Sequence, residues 1–123
     1  MLRIFKNAWF HRFARKEQLT DAVLRKAVLQ VEQGLVDANL GGSVIKQRIA
    51  REGQGKSGGY RAIILFRSGD KAFFMYGFAK SERENIAEDE LTAFKQAARE
   101  YLALSDQQID QLIAIEALIE VNP

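Results

Sequence analysis

The sequence predicts a single α+β domain, in which a small antiparallel sheet packs against two N-terminal helices and is followed by C-terminal helices. Apolar residues recur at helical spacing before Gly34, alternate with a period of two in Val44–Ile49, form two largely apolar runs between Tyr60 and Phe78, and return to helical spacing after Ser81. A chain of 123 residues is long enough for one domain and too short for two. We therefore expect residues 1–123 to form one unit, with residues 104–123 as a C-terminal helical extension.

The N-terminal part predicts a short strand and two helices. Residues Leu2–Phe5 are apolar enough for an opening strand. Asn7 is a good N-cap for a first helix, and Thr20 is a good N-cap for a second helix that ends at Gly34. Apolar residues at helical spacing support both helices: Phe10, Phe13 and Ala14 in the first, and Val23, Leu24, Ala27, Val28 and Val31 in the second.

Three strands are predicted in the middle of the chain, at Val44–Ile49, Tyr60–Arg67 and Lys71–Phe78. Residues 68–70 form a tight hairpin turn between the last two strands. These two strands are apolar on both faces, which is typical of central strands covered by helices. The aromatic residues expected in the core, rather than on a base-stacking surface, are Trp9, Phe73, Phe74 and Phe78.

The C-terminal part predicts helices that begin at two capping boxes. Residues 81–84 have the S-x-x-E form of such a box, and residues 105–108 provide a second one. The apolar positions of the first helical region are Leu91, Phe94, Ala98, Tyr101 and Leu102, and those of the second are Ile109, Leu112, Ile113 and Ala117. We expect the last helix to continue to the end of the chain.

The composition excludes several classes of site. The chain has no cysteine, so disulfides, thiolate metal sites and cysteine nucleophiles are excluded. His11 is the single histidine, which rules out multi-histidine metal sites and Ser-His-Asp triads, and its neighbours Phe10 and Phe13 favour a packing or surface role. No segment approaches the ~20 apolar residues needed to span a bilayer. The N-terminus lacks the apolar core of a secretory signal, so a cytoplasmic protein without a membrane partner is expected.

Positive charge is concentrated in the middle of the chain. Residues 41–83 contain nine Lys/Arg and three Asp/Glu, whereas residues 84–123 contain two Lys/Arg and nine Asp/Glu. This distribution indicates a polyanion-binding surface beside an acidic segment. The competing interpretation is that acidic helices merely balance a basic sheet.

Alternation places Lys46 and Arg48 on one sheet face with Val44, and Ile45 and Ile49 on the other face. If the strands pair in sequence order, these two residues, Arg61 and the segment Lys80–Arg83 converge on one concave patch. Clustered cations repel one another unless an anion fills the patch, which predicts phosphate binding. The alternative is that nearby acids pair with these cations, or that they only protect a sheet edge from aggregation.

The glycine-rich segment 53–59 resembles a phosphate-binding loop, but it is not one. A Walker A motif needs a glycine at the position of Ala50 and a helix after the loop, and a strand follows here. We expect a β-hairpin loop able to lie against RNA or protein. Arg51, Lys56 and Arg67 are predicted to contribute RNA contacts from this loop and the following strand.

Three sequence blocks, residues 42–49 (GSVIKQRI), 56–61 (KSGGYR) and 76–83 (YGFAKSER), resemble the RelE/HigB family of toxins from bacterial toxin–antitoxin modules. The glycine-rich loop is similar to that of the HigB-like branch, and the resemblance covers residues 2–104. It implies a RelE-like fold and a ribosome-dependent mRNA endonuclease that acts in the A site of the 30S subunit. It also implies a cognate antitoxin, expected to be a helix-turn-helix protein, and a cleavage by the ribose 2′-hydroxyl that needs no metal or other cofactor.

The same resemblance implies a catalytic set that comprises Lys46, Arg48, Arg61, Lys80 and Arg83. Arg48 and Arg61 would stabilise the charge of the transition state, and Lys46 would position the substrate or transfer a proton. The best-known family members have an arginine at the position of Ser81 and a tyrosine near that of Ile86. The general base is therefore left open among Lys46, Lys80 and Glu82, or it is supplied by the ribosome or by the RNA itself.

Two other functions are compatible with the sequence. A gyrase poison of the ParE type would share the fold but lack the catalytic cations, so the presence of Lys46, Arg48 and Arg61 argues against it. A non-catalytic RNA- or protein-binding module is the third possibility. Mapping mRNA ends and DNA damage after expression in bacteria distinguishes the three.

Overall fold

The computed structural model describes residues 2–50 and 59–123. Its strands are β1 (Arg3–Asn7), β2 (Ala38–Gly41), β3 (Val44–Ile49), β4 (Tyr60–Arg67), β5 (Lys71–Ala79) and β6 (Leu118–Glu120), and its helices are α1 (Ala8–Lys16), α2 (Asp21–Glu32), α3 (Glu88–Tyr101) and α4 (Asp106–Ala114). The strands form one sheet in the order β2-β3-β4-β5-β1-β6. Within the described residues, no helix has the length and apolarity needed to cross a membrane.

The sheet is mostly antiparallel, as predicted, and the α+β class is confirmed. One pair departs from this pattern, because β1 runs parallel to β5, with Ile4 opposite Ala72. The strand-helix-helix segment between β1 and the middle strands allows this arrangement, since a parallel pair needs a long crossover connection. The hairpin β4–β5 and the central position of both strands are as predicted.

Two apolar layers cover the two sheet faces. One layer contains Phe10, Leu24 and Ile64, and it packs the sheet against the N-terminal helices. The other contains Phe73, Leu102 and Ile109, and it packs the sheet against α3 and α4. Burial of β4 and β5 on both faces explains why these strands are nearly continuous apolar runs.

The caps of the N-terminal helices form as predicted. The Oδ1 atom of Asn7 accepts the backbone N–H of Phe10 at 2.7 Å, and the Thr20 hydroxyl accepts that of Val23 at 3.3 Å. The capping box of α4 is also confirmed, because Ser105 and Gln108 each accept the backbone N–H of the other. Such reciprocal bonds satisfy N–H groups that the helix itself leaves without a partner.

The predicted helix start at residues 81–84 is wrong, since α3 begins at Glu88. The backbone N–H groups of Glu82 and Arg83 both donate to the Ala79 carbonyl and form a turn. The Arg83 side chain then donates to the carbonyl of Asn85 at 2.8 Å. Three acidic residues in the first turn of α3 favour the later start, because they interact well with the positive end of the helix.

The last helix does not continue to the end of the chain. It ends at Ala114, and Glu116 adopts a left-handed backbone with φ of 60° that reverses the chain. The following strand β6 pairs antiparallel with β1, and Leu118 and Val121 are buried. Strand β2 was also missed, because its sequence ANLG has no β-branched residue and the strand exists through its pairing with β3.

Candidate nucleic-acid interface

Arg48 and Arg61 lie side by side on the sheet face that α3 and α4 partly cover. They are direct partners in the antiparallel β3–β4 pair, so their Cα atoms lie about 5 Å apart. Lys46 lies on the same face of β3, two residues before Arg48, and is opposite Ile63. The predicted convergence of these three cations is therefore seen in the structure. We call Lys46, Arg48 and Arg61 the cationic row.

One carboxylate contacts the cationic row within the described residues. The Nε atom of Arg61 lies 3.2 Å from Oδ2 of Asp37, and the Arg61 side chain is only 12% exposed. Gln47, which is buried, holds Asp37 in position by accepting its backbone N–H at 2.9 Å while donating to the Leu35 carbonyl at 2.9 Å. Three positive charges thus share one negative charge, and the row keeps a net positive charge.

Two guanidinium donors of this row are buried without a hydrogen-bond partner among the described residues: Nε of Arg48 and Nη1 of Arg61. Buried polar groups in folded proteins are almost always hydrogen-bonded, so unpaired donors call for an explanation. Gly59 contributes to this local packing, because a Cβ there would lie 2.9 Å from the Ile49 carbonyl oxygen and 3.8 Å from Nε of Arg48. Each guanidinium carries five N–H donors in all, and the net positive charge of the row suits it to an oxyanion.

Arg48 also lines a cavity of about 380 Å3 between β3 and α2, together with Lys26 and Gln30. Strand β2 pairs with β3 only as far as Lys46, so Arg48 lies at an edge of the sheet. Its side chain is therefore accessible from this edge as well as from the face.

Arg83 lies over the aromatic side chains at the end of β5. Its guanidinium carbon is 5.8 Å from the ring centre of Tyr76 and 5.6 Å from that of Phe78, which is the strand partner of Arg61. Arg83 also forms an ion pair with Glu90 at 2.6 Å and donates to the Tyr76 hydroxyl. The hydrogen bond to Glu90, with that to Tyr76, raises the pKa of Arg83, and the bond from Arg83 lowers the pKa of Glu90.

The other predicted site residues are placed differently. Lys80 is exposed in the turn after β5, near Arg83 in sequence. Arg67 lies at the opposite end of β4 from Arg61, roughly 20 Å away at the rise of a strand, where it donates to the Leu102 carbonyl and pairs with Asp70. Arg51 and Lys56 lie outside the described residues. The RNA contacts of Arg51, Lys56 and Arg67 remain predictions.

The expectation that Trp9 is a core residue is wrong, whereas Phe73, Phe74 and Phe78 are buried as expected. Trp9 is 39% exposed and stacks against Phe13 and Tyr76 at the start of α1. The helical spacing of Phe10 and Phe13 directs these two rings toward the sheet and leaves Trp9 on the flank of the helix. This position was not distinguishable from a core position by composition alone.

His11 is partly buried beside Lys6 and Arg15. Burial lowers the pKa of the imidazole, and the two neighbouring cations lower it further. Its Nδ1 atom is buried without a hydrogen-bond partner within residues 2–50 and 59–123. The ring lies on the opposite side of α1 from the aromatic contacts of Trp9, in a cavity that β6 lines, so the structure supports no link to the cationic row.

Sequence patterns did not indicate the two acidic partners of the interface, Asp37 and Glu90. Asp37 precedes a strand that has no local signal, and Glu90 lies within a helix whose start was misplaced. Their ion pairs with Arg61 and Arg83 join residues that are far apart in sequence or separated by a turn. Only the folded chain brings these charges together.

The fold and the interface define a small α+β protein with a row of three cations on one face of its sheet. The sequence matches the family profile described as RelE toxin of RelE / RelB toxin-antitoxin system over residues 2–121, and the chain belongs to this family. The chain is thus a toxin of a toxin–antitoxin system, with a cognate antitoxin as its partner. RelE-family toxins are generally endoribonucleases. No curated protein matched the chain in a sequence comparison.

Proposed function

We propose that this toxin is a ribosome-dependent mRNA endonuclease that cuts the message in the A site of the 30S subunit. The main support is the pairing of Arg48 with Arg61 in adjacent strands, where each side chain keeps one buried N–H donor without a partner among residues 2–50 and 59–123. A third cation, Lys46, extends the row along the same face. This geometry supports binding of an RNA phosphate.

The cleavage step needs only groups of the RNA and of the protein. The ribose 2′-hydroxyl oxygen attacks the adjacent phosphorus, a base accepts the 2′ proton, the bond from phosphorus to O5′ breaks, and O5′ takes up a proton. The products are a 2′,3′-cyclic phosphate and a 5′-hydroxyl. Negative charge accumulates on the non-bridging oxygens, and Arg48 and Arg61 stabilise that charge in a site already arranged for it.

Lys46 positions the substrate or transfers a proton, and Lys80 and Glu82 are the other candidates for the base. Lys46 is half-buried within the row, whereas Lys80 and Glu82 are exposed in the turn after β5. A lysine acts as a base only in its neutral form, whereas a carboxylate acts as a base in its charged form. Variants of these three residues, compared by the pH dependence of single-turnover cleavage, identify the group.

The antitoxin partner is expected to be a helix-turn-helix protein that neutralises the toxin. Like-charge repulsion within the cationic row makes an acidic segment a suitable inhibitor of this surface. Such a segment would compete directly with the RNA phosphates. Removal of the antitoxin then exposes the row for RNA.

The test compares the parent chain with Arg61→Ala during regulated expression in bacteria and in a purified translation system. The parent should stop growth and cut translated messages in the A site. Arg61→Ala should lower the cleavage rate at least about a hundredfold, the typical effect of removing one charge-stabilising donor, while its thermal unfolding stays cooperative. Arg99→Ala, which removes an exposed arginine from α3, should cut like the parent.

Four results would contradict the proposal. An Arg61→Ala variant as toxic as the parent would show that the site is misplaced. DNA damage without mRNA cutting would indicate a gyrase poison, and unimpaired growth would indicate a non-catalytic binding module. Cleavage that persists when the ribose at the cut site lacks its 2′-hydroxyl would exclude attack by that hydroxyl on the phosphorus.

A further inference from the structure

A cleft with aromatic walls opens beside the cationic row, at the part of β5 that β1 does not pair with. We define the aromatic cleft by Trp9, Phe13, Tyr76, Phe78 and Arg83. It encloses about 330 Å3, which is within the range of small-molecule binding pockets. Its walls come from α1, from β5 and from the turn after β5.

The rings of the cleft are in contact, and one of them is open to solvent. Trp9 lies 4.7 Å from Tyr76 and 5.3 Å from Phe13, measured between ring centres, and the Trp9 and Phe13 rings are within 14° of parallel. Tyr76 continues the contact to Phe78 at 6.0 Å. Trp9 nevertheless remains 39% exposed, so part of its ring contacts solvent.

Cations border the aromatic cleft on two sides. Arg83 lies over Tyr76 and Phe78, and Lys16 lines the opposite side from α1. Glu17 and Glu82 also line the cleft, and Glu17 accepts a hydrogen bond from the Tyr60 hydroxyl. Phe78 is the strand partner of Arg61, so the cleft lies next to the cationic row.

An exposed ring beside cations is the arrangement by which proteins bind unpaired bases. Aromatic side chains stack on nucleobases while neighbouring Lys and Arg contact the phosphates. A protein partner would also bury Trp9, but the adjoining cationic row favours a polyanion whose bases are accessible. Single-stranded RNA meets both conditions.

We propose that the aromatic cleft binds a nucleobase next to the scissile linkage by stacking on Trp9. This inference rests on the proposed cleavage of RNA, and it assigns to Trp9 the task of positioning the strand whose phosphate meets Arg48 and Arg61. Every base has a flat face, so the cleft accepts all four bases. Purines bind more tightly because they offer the larger stacking area.

Trp9 is the only tryptophan of the chain, so its intrinsic fluorescence reports directly on the cleft. The probe is a short single-stranded RNA with a 2′-O-methyl group at each position, which has no free 2′-hydroxyl and therefore binds without being cut, and an abasic oligonucleotide of the same length is its control. We expect the base-containing oligonucleotide to quench Trp9 in a saturable manner. The abasic control, at equal phosphate occupancy, should leave the emission unchanged.

The variants Trp9→Leu and Trp9→Phe separate stacking from packing. Leucine keeps apolar contact with Phe13 but has no ring, so affinity for a labelled oligonucleotide should fall at least about fivefold. Phenylalanine should restore affinity to within about threefold of the parent. Leu29→Ala, which shortens an exposed apolar side chain on α2, is the control and should bind like the parent.

The salt dependence of binding distinguishes a stacking role from a loss of structure. Trp9→Leu should bind more weakly with an unchanged slope of log affinity against log salt, because it removes no phosphate contact. Arg48→Ala should reduce the slope by about one. A Trp9→Leu variant that binds RNA like the parent, or an absence of quenching when labelled RNA is bound, would overturn the inference.

The outcomes for the cleft and for the nuclease are separable. Base-dependent quenching without any mRNA cleavage supports the cleft and contradicts the proposed function. Normal cleavage by Trp9→Leu with no quenching in the parent contradicts the cleft alone. If Trp9→Leu weakens the antitoxin complex but leaves RNA affinity intact, the cleft is a protein-binding surface and the inference is wrong.

Discussion

The charge of the interface depends on single residues that were not recognisable in the sequence. Gln47 is buried in β3 and holds the backbone of Asp37, which places a carboxylate against Arg61. An RNA phosphate that binds Arg61 must compete with this carboxylate. Asp37 therefore tunes how strongly the cationic row attracts an anion.

Asp37→Asn should strengthen RNA binding. The substitution removes one negative charge from the row, and an ion pair at a partly exposed position is worth up to about 1 kcal/mol, or up to about fivefold in affinity. Titration of an uncleavable labelled RNA at low salt measures the change. Glu100→Gln, which removes an exposed charge from α3, should have a smaller effect, and equal or weaker binding by Asp37→Asn than by the parent would contradict this role.

At the scale of elements, the close approach of α1 to β5 builds the aromatic cleft. Gly77 makes this approach possible, because a Cβ at this position would lie 2.5 Å from the ring of Phe13 and 3.1 Å from that of Phe10. A contact below 3.0 Å forces one of the two elements to move. The stack of Phe13 with Trp9 therefore depends on the absence of a side chain in β5.

Gly77→Ala should lower the free energy of unfolding by about 1–3 kcal/mol, the usual cost of an overpacked core. It should also shift the emission of Trp9, since the displaced Phe13 ring is its stacking partner. Unfolding in urea measures the change in the free energy of unfolding. In a Phe13→Leu background the same glycine substitution should cost clearly less, and an equal cost in both backgrounds would show that the Phe13 contact is not responsible.

On the scale of the whole molecule, β1 and Asp21 join the two ends of the chain. Lys6 in β1 is 7% exposed and lies 3.2 Å from Oδ1 of Asp21, while Oδ2 of Asp21 accepts the backbone N–H of Asn122 at 3.0 Å. Burial raises the pKa of Asp21, but the bonds from Asn122 and Lys6 outweigh it and lower the pKa overall. The carboxylate form is thus more stable in the folded chain than in the unfolded one.

The stabilisation from Asp21 should be present above its ordinary pKa and lost as the pH falls through the lowered value in the folded state. Asp21→Asn should therefore flatten the acid limb of the stability curve and cost roughly 2 kcal/mol at neutral pH, less than the ~3–5 kcal/mol of a fully buried pair. Thermal unfolding at a series of pH values measures both effects. Asp106→Asn, at an exposed ion pair with Arg3, is the control, and an Asp21→Asn curve parallel to that of the parent would contradict the argument.

Local sequence patterns determined several structural features of this protein. They predicted the helix caps at Asn7, Thr20 and Ser105 and the strands β4 and β5, which are apolar on both faces. They also placed the cations Lys46, Arg48 and Arg61 on one face of the sheet. Each of these follows from contacts between residues near in sequence or from the period of a strand. Only the tertiary structure decided that β6 completes the sheet beside β1, that Asp37 and Glu90 pair with Arg61 and Arg83, and that Trp9 remains exposed. These features depend on pairing, burial and charge between distant segments, whose free energies arise only when the chain is folded.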